Sequence, residues 1–262
     1  MKIRVLGCHG SEQLVTTGRN FFQCRPCSFL INDTVLLDAG TISGGLMLEE
    51  QQRIEHVLLS HAHFDHIQGL PTLADNLART QRRPVFLSGI EEVLNQLSTN
   101  VFNDAIFPNF FKLPTPQYPT FQLQPLLPRR PLRLSNLEVI AIPVNHVVPT
   151  TGFLIRDDTG TLLYSGDTST TDEIWKIAAQ DRTLKAAFIE TSWPDELADL
   201  ALASKHLTPT LLKQELHKLG RPDVAVYIYH MKPHEELMIE RQLNALHIPR
   251  LSILREGQEI IV

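Results

Sequence analysis

Short apolar runs bounded by polar or glycine-containing turns recur through the first ninety residues. They cover residues 2–6, 28–31, 35–38, 54–59 and 85–87. Runs of this length between turn residues are typical of β-strands. After residue 136 the same pattern returns, in residues 137–142, 151–156, 161–164, 186–190 and 224–229.

Helical patterns are interleaved with these strand-like runs. Apolar positions at helical spacing predict a helix over residues 67–77. Thr208 is predicted as the N-cap of a later helix, with Pro209 at its first position and Gly220 just past its end. Capping-box spacing predicts two more helix starts, at Ser88/Glu91 and at Thr170/Glu173. Strands and helices in both halves predict two packed sheets with helices outside, a layered α/β fold.

Residues 98–136 depart from this pattern. They are rich in proline, lack clear periodicity and contain six aromatic residues, Phe102, Phe107, Phe110, Phe111, Tyr118 and Phe121. A long irregular segment inside a compact domain is usually functional or part of an interface. The segment VFNDAIFPNF could stack against a flat ring or dock on a partner chain, which would suit a homodimer. The sequence leaves both readings open.

Length and composition predict one domain over residues 1–262, with the irregular insertion at about 98–136. The chain has 43% hydrophobic and 20% charged residues, ordinary values for a globular protein. Its net charge of -5 arises from 24 basic and 29 acidic residues, so small substrates are favoured over long polyanions. No apolar signal core follows the N-terminus and no stretch is long enough to cross a bilayer, which favours the cytoplasm and no membrane partner.

Three cysteines do not suggest a disulfide framework. Cys24 and Cys27 form a CxxC motif, which leaves a structural zinc, redox chemistry and simple packing open.

Four potential metal ligands lie within six positions of the segment LLSHAHFDHIQGLP, residues 58–71: His61, His63, Asp65 and His66. A core gains nothing from imidazoles and a carboxylate unless they bind something positive. The segment is predicted to connect a strand to a helix. In its extended part, His61 and His63 project to the same side and can bind one ion. Asp65 and His66 leave in another direction and suit a second ion.

Further candidate ligands follow apolar strands in the second half of the chain. They are His146, Asp167 and His230. Strand ends that converge at one edge of a sheet pair are a common place for a site. The full set suits two ions: His61, His63 and His146 on one, Asp65, His66 and His230 on the other, and Asp167 bridging. The remaining histidines are expected to be structural or solvated: His9, His56, His217, His234 and His247.

The metal motif HAHFDH, the later His146, the SGDTS segment around Asp167 and the YHMKP segment around His230 resemble the metallo-β-lactamase superfamily in its dinuclear phosphodiesterase branch. VFNDAIFPNF, SGDTSTTDEIW, IETSWPDE and SKHLTPTLLKQEL are more narrowly similar to class II cyclic-nucleotide phosphodiesterases. The resemblance implies a four-layer αββα sandwich and hydrolysis of 3',5'-cyclic nucleotides, cAMP or cGMP, to 5'-nucleotides. Phe107 stands where that family is expected to have tryptophan, and Thr191 where cysteine or serine is common.

A phosphodiester repels hydroxide, so a catalyst must offset its charge and supply a nucleophile at neutral pH. Two divalent ions can do both; zinc is the first candidate for a nitrogen-rich site, and manganese or iron fits the same ligands. We expect Asp65 to orient the nucleophile and His206 to act as the general acid. A helix N-terminus just after His206 would disfavour its imidazolium and attract the phosphate. Candidate substrate-binding residues are Asn103, Phe107 and His206.

Other functions share these features. Ribonuclease Z-type tRNA endonucleases and other cyclic phosphodiesterases carry the same metal signature, so tRNA stays open as a substrate. A nucleotide-binding or metal-binding sensor without turnover is an alternative from another class, although such a protein has no physical need for all seven ligands.

Overall fold

The computed structural model describes residues 1–17, 20–80 and 83–262, and eighteen strands lie within these ranges. In chain order they are β1 (Lys2–Gly7), β2 (Gln13–Thr17), β3 (Asn20–Cys24), β4 (Ser28–Ile31), β5 (Val35–Leu37), β6 (His56–Leu58), β7 (Val85–Gly89), β8 (Pro114–Thr115), β9 (Tyr118–Pro119), β10 (Phe121–Pro125), β11 (Pro131–Leu134), β12 (Leu137–Pro143), β13 (Thr151–Arg156), β14 (Thr161–Tyr164), β15 (Leu184–Glu190), β16 (Ala225–Tyr229), β17 (Leu251–Ile253) and β18 (Glu259–Ile261).

The helices in the same ranges are α1 (Leu48–Gln51), α2 (Phe64–Ile67), α3 (Gly69–Leu77), α4 (Glu91–Gln96), α5 (Glu173–Gln180), α6 (Ala198–Ser204), α7 (Pro209–Leu219) and α8 (Glu236–Ala245). A π-helical turn at Leu97–Val101 extends α4, and a 3-10 turn at Asp195–Leu197 precedes α6. Within the described part of the chain, no helix combines the length and apolar character needed to cross a lipid bilayer.

Two mixed sheets of seven strands form the centre of the fold. The first has the order β10-β7-β6-β5-β4-β1-β18, and the second has the order β11-β12-β13-β14-β15-β16-β17. Strands β2 and β3 form a separate hairpin, and so do β8 and β9. Strands β14, β15 and β16 are parallel neighbours, so their carboxyl ends meet at one edge of the second sheet.

Buried apolar side chains fill three layers. One core lies between the sheets and contains Phe29 of β4 and Phe188 of β15. A second packs α3 and α4 against the outer face of the first sheet, and a third packs α5, α7 and α8 against the second sheet. This helix–sheet–sheet–helix order confirms the layered α/β fold, because each sheet buries one face on its partner and the other under helices.

All ten predicted strands are present, three with the predicted bounds and the others with bounds shifted by one or two residues. The run 54–59 is shorter, as β6, because the Ile54 amide donates to the Gln51 carbonyl in a turn after α1. The helix predicted over residues 67–77 is two helices, α2 and α3, which meet at Gln68.

One of the three predicted helix starts is confirmed. The Thr208 hydroxyl accepts from the Leu211 amide, and Gly220 ends α7 at a φ of 62°. The two helices predicted to follow the capping boxes are present as α4 and α5, but the capping boxes themselves are wrong. Ser88 lies in β7 and donates to Gln124 of β10, and Asp172 rather than Thr170 precedes α5.

The segment 98–136 is more regular than predicted. Strand β10 pairs with β7 at the edge of the first sheet, and β11 pairs with β12 at the edge of the second, so the segment carries the chain between the sheets. Phe102, Phe110 and Phe121 are buried in the core beneath α3 and α4. These rings therefore pack in the core, whereas Tyr118 is 73% exposed.

Candidate metal centre

The candidate ligands lie in loops that leave the ends of strands. The segment with His61 follows β6, and His146 follows β12. Asp167 and His230 follow the parallel strands β14 and β16. Since these strand ends share one rim of the sheet pair, polar groups far apart in sequence face one another there.

The first group of ligands contains His61, His63, His146 and Asp167. One ligand atom from each lies within 4.8 Å of the others. The distance from His146 Nε2 to His63 Nδ1 is 3.2 Å, and that from His61 Nε2 to Asp167 Oδ2 is 3.7 Å.

The second group contains Asp65, His66 and His230. His230 Nε2 lies 3.2 Å from His66 Nε2 and 3.4 Å from Asp65 Oδ2. Asp167 Oδ2 lies 3.2 Å from His230 Nε2 and 3.4 Å from His66 Nε2, so this oxygen stands between the two groups. The structure therefore brings all seven predicted side chains together.

Hydrogen bonds outside the cluster fix which nitrogen of each imidazole faces it. The Ser60 hydroxyl donates to Asp38, so its oxygen is left to accept from His61 Nδ1 at 2.9 Å. His66 Nδ1 donates to Asp38 at 2.8 Å, His146 Nδ1 to the Lys205 carbonyl at 3.1 Å, and His230 Nδ1 to Ser192 at 2.8 Å. When Nδ1 is the donor, the neutral form of each ring has its lone pair on Nε2, which faces the cluster as a metal ligand must.

Asp38 is the principal residue that the sequence analysis missed. Besides His66 and Ser60, it accepts a hydrogen bond from the Tyr164 hydroxyl at 2.6 Å. Its only signal is an acidic residue at the end of the apolar run VLL, and a polar residue there is common without a ligand nearby.

The cluster fits a cation. His61 Nε2 and Asp167 Oδ1 are buried without a hydrogen-bond partner among the described residues. Burial lowers the pKa of His61, and it lowers that of His146 to about 4, so both imidazoles are neutral. Burial also opposes charge on His66, but Asp167 and Asp38 outweigh it and raise the pKa of His66. Neutral imidazoles beside carboxylates that favour positive charge are a suitable donor set for divalent metals.

His206 lies beside this cluster and is buried. Its ring stacks on that of His230 with centroids 5.3 Å apart, and its Nδ1 lies 2.8 Å from Glu190 Oε1. Burial alone would lower the pKa of His206, but the Glu190 carboxylate outweighs it and raises the pKa. Glu190, which the sequence analysis missed, touches the ring and sets the net direction of the shift, so the predicted effect of the helix end on the imidazolium does not decide it.

Asn103 and Phe107 have local contacts. The Asn103 side chain accepts from the Ala105 and Ile106 amides and donates to the Thr99 carbonyl. The Phe107 ring packs on Phe102. A cavity of about 190 Å³ beside His63 is lined instead by other residues: Ala62, Glu92, Val93, Gln96, Val148 and Pro149. A role for Asn103 or Phe107 in substrate binding stays a prediction.

Comparison with known protein families identifies the family of this chain. The model of the Beta-lactamase superfamily domain matches residues 34–242, most of the chain. The chain belongs to the beta-lactamase superfamily. Its fold, with two sheets between helices, is the metallo-β-lactamase fold, as predicted, and this fold implies binding of divalent metal.

Named relatives support a metallo-hydrolase within the superfamily. The chain is 29% identical over 248 residues to a 3',5'-cyclic-nucleotide phosphodiesterase from Aliivibrio fischeri, covering 76% of this chain and 72% of that protein. It is 30% identical over 206 residues to a probable 3',5'-cyclic-nucleotide phosphodiesterase from Yersinia pestis, covering 70% and 58%. The crystal structure of unliganded yeast PDE1 superposes with a TM-score of 0.82 at 18% identity, covering 100% of this chain and 99% of that one.

Proposed function

We propose that the protein is a metal-dependent phosphodiesterase that hydrolyses 3',5'-cyclic nucleotides to 5'-nucleotides. The proposal rests chiefly on the convergence of five imidazoles and two carboxylates, with four of the rings fixed to present Nε2. His61, His63 and His146 would hold one ion, Asp65, His66 and His230 a second, and Asp167 would contact both. Zinc is the first candidate because the donors are rich in nitrogen, and manganese or iron suits the same set.

The names of the relatives support the substrate class. Both bacterial relatives are named for 3',5'-cyclic nucleotides. The cavity of about 190 Å³ beside His63 is smaller than the ~300–1,000 Å³ of typical ligand pockets, so it would hold only part of a cyclic nucleotide. Within that cavity, Glu92 and Gln96 lie one helical turn apart and offer polar atoms to a base. The cytoplasmic location and the homodimer stay predictions.

When bound, two divalent ions would offset the charge of the phosphodiester and lower the pKa of a water molecule towards ~7. The side chains would supply orientation and proton transfer. Asp65, 27% exposed at the open side of the cluster, would accept a hydrogen bond from the attacking water. His206, held through Nδ1 by Glu190, would donate the proton on Nε2 to the departing ribose oxygen as the bond to phosphorus breaks.

The test is hydrolysis by protein stripped with a chelator and then reloaded with zinc or manganese. We expect metal-dependent turnover of bis(4-nitrophenyl) phosphate and a preference for 3',5'-cAMP or cGMP over 2',3'-cyclic nucleotides and precursor tRNA. Asp167→Asn should abolish turnover and lower metal content, whereas Asp199→Asn on the exposed face of α6 should change neither. Preference for precursor tRNA would favour a ribonuclease Z, and nucleotide binding without turnover would favour a sensor.

A further inference from the structure

A second cluster of metal-ligating side chains lies apart from the seven residues described above. His9 lies in the turn after β1, Cys24 ends β3, and Glu236 begins α8. One ligand atom from each lies within 4.8 Å of the others. Phe22 packs edge-on against the His9 ring. The cluster therefore joins three segments that are distant in sequence.

His9 is oriented as a metal ligand would be. Its ring is 1% exposed, and Nδ1 lies 2.6 Å from Glu256 Oε1, which also accepts from the Arg25 amide. Nε2 is buried and has no hydrogen-bond partner among the described residues. In metal-bound histidines, one ring nitrogen binds the metal and the other commonly donates a hydrogen bond to a carboxylate.

Cys24 differs from the other two cysteines. The thiols of Cys8 and Cys27 donate to the carbonyls of Leu254 and His9. The Cys24 thiol is fully buried, and within residues 1–17, 20–80 and 83–262 it has no hydrogen-bond partner. Packing accounts for its burial but not for its position within 4.8 Å of ligand atoms of His9 and Glu236.

Distances and charge favour a divalent ion. His9 Nε2 lies 3.5 Å from Glu236 Oε2, close to the ~3.4 Å that separates nitrogen and oxygen ligands around a tetrahedral zinc. Three carboxylates lie in this region, those of Glu236, Glu240 and Glu256, and the Arg255 guanidinium pairs with Glu236 and Glu240. The surplus negative charge would be offset by a cation.

We propose that His9 Nε2, Cys24 Sγ and Glu236 Oε2 bind a structural divalent metal, with zinc as the first candidate. Sulfur and nitrogen donors select zinc over magnesium or calcium. Solvent would supply the fourth ligand, because the Glu236 side chain is 19% exposed. Cys8 is not part of this site, because His9 Nδ1 and Glu256 Oε1, the donors on its side, are too close to bind one ion together.

The competing occupant of this position is a proton. Burial alone would lower the pKa of His9, but Cys8, Glu236 and Glu256 raise it to about 12. A metal would have to displace this proton, and a permanently protonated His9 that excludes metal is the outcome that overturns the proposal.

The ion would stiffen the backbone next to the candidate active site. His9 is bridged to Met231, and the His230 amide donates to the Cys8 carbonyl at 2.7 Å. Through Cys24 and Glu236, the ion would also tie the β2–β3 hairpin to α8. Loss of the ion should therefore lower the melting temperature.

Cobalt substitution tests this proposal independently of catalysis. The seven residues of the candidate active site contain no thiolate, but ligand atoms of Cys27, His66 and His230 lie within 4.8 Å of one another. A thiolate-to-cobalt charge-transfer band in the near ultraviolet therefore reports a cysteine-bound ion, and the cysteine variants decide which thiol binds it. We expect the band in the wild-type chain and in Asp167→Asn. Cys24→Ser should lose the band, bind one ion fewer per chain and lose the chelator-sensitive part of its thermal stability.

Cys8→Ser and Cys27→Ser are the matched controls and should keep the band. Glu236→Gln, which preserves the size of the side chain, should weaken cobalt binding without loss of fold. A wild-type chain without the band overturns the proposal, as does a band that survives both Cys24→Ser and Glu236→Gln, or one that only Cys27→Ser removes.

Discussion

Asp38 shows how one side chain can set the geometry of a whole cluster. It accepts hydrogen bonds from Ser60, His66 and Tyr164, and through Ser60 it also orients His61. Its φ of 53° lies in the left-handed region, which Asp and Asn tolerate better than most residues. The carboxylate thereby orients one imidazole from each proposed ion site.

We predict that Asp38→Asn weakens metal binding by about 10–100-fold without loss of fold, because asparagine suits the backbone but removes the charge that favours these tautomers. Titration with zinc against a competing chelator measures the affinity, and circular dichroism checks the fold. Asp75→Asn, at an exposed position of α3, is the control. Unchanged affinity in Asp38→Asn would contradict this role.

The proposed role of His206 as general acid can be tested with substrates that differ in their leaving groups. If it protonates the departing ribose oxygen, His206→Gln should lower kcat for a cyclic nucleotide by about 10²–10⁴-fold. The loss should be much smaller for bis(4-nitrophenyl) phosphate, whose leaving group is stable as an anion. Metal content should be unchanged. An equal loss with both substrates would show that His206 acts on binding or structure instead.

At the scale of elements, Asp181 links the strands of the second sheet. It accepts from the Thr183 amide and hydroxyl, just before β15, and pairs with Arg156 of β13 at 2.9 Å. Partial burial would raise the pKa of Asp181, but Thr183 and Arg156 lower it to about 2. An unfolded chain would have a pKa of about 3.9.

Because the folded pKa is depressed, this carboxylate stabilises the fold above about pH 4, and the contribution disappears as the pH falls towards about 2. We predict that Asp181→Asn lowers the free energy of unfolding by about 1 kcal/mol at pH 7, a value reduced for solvent screening. The difference in unfolding free energy between the two proteins should vanish as the pH falls towards about 2. Urea titrations at several pH values across this range measure the difference in unfolding free energy, with the exposed Asp158→Asn as control. A difference that does not change with pH would contradict the role of the Asp181 charge.

At the scale of the whole molecule, the contact between the two sheets holds the two halves of the site together. Phe29 of the first sheet makes edge-on contacts with three rings of the second: Tyr164 at 5.9 Å, Phe188 at 5.4 Å and Tyr229 at 5.7 Å. Tyr164 in turn donates to Asp38, so the aromatic core and the candidate site share a residue.

We predict that Phe29→Ala destabilises the protein by about 3–5 kcal/mol, since it opens a cavity where both sheets meet. Phe21→Ala, at a ring 72% exposed on the hairpin, should change stability by no more than about 0.5 kcal/mol. Denaturant unfolding of both variants provides the comparison. A loss below about 1 kcal/mol for Phe29→Ala would mean that the two sheets are not held by this contact.

The sequence by itself determined the strands, the confirmed α7 boundaries, the layered fold and the seven candidate ligands. These features could be predicted because apolar periodicity and a dense run of histidines are local patterns. Polar residues directly after apolar strands are also visible in the sequence, and such strand ends commonly carry functional side chains. Only the tertiary structure decided which partners those groups meet. Asp38, Glu190, Ser192 and Glu256 lie far in sequence from the imidazoles they contact, so no local pattern marks them. The same holds for the cluster at His9, where burial and a free ring nitrogen arise only when three distant segments pack together.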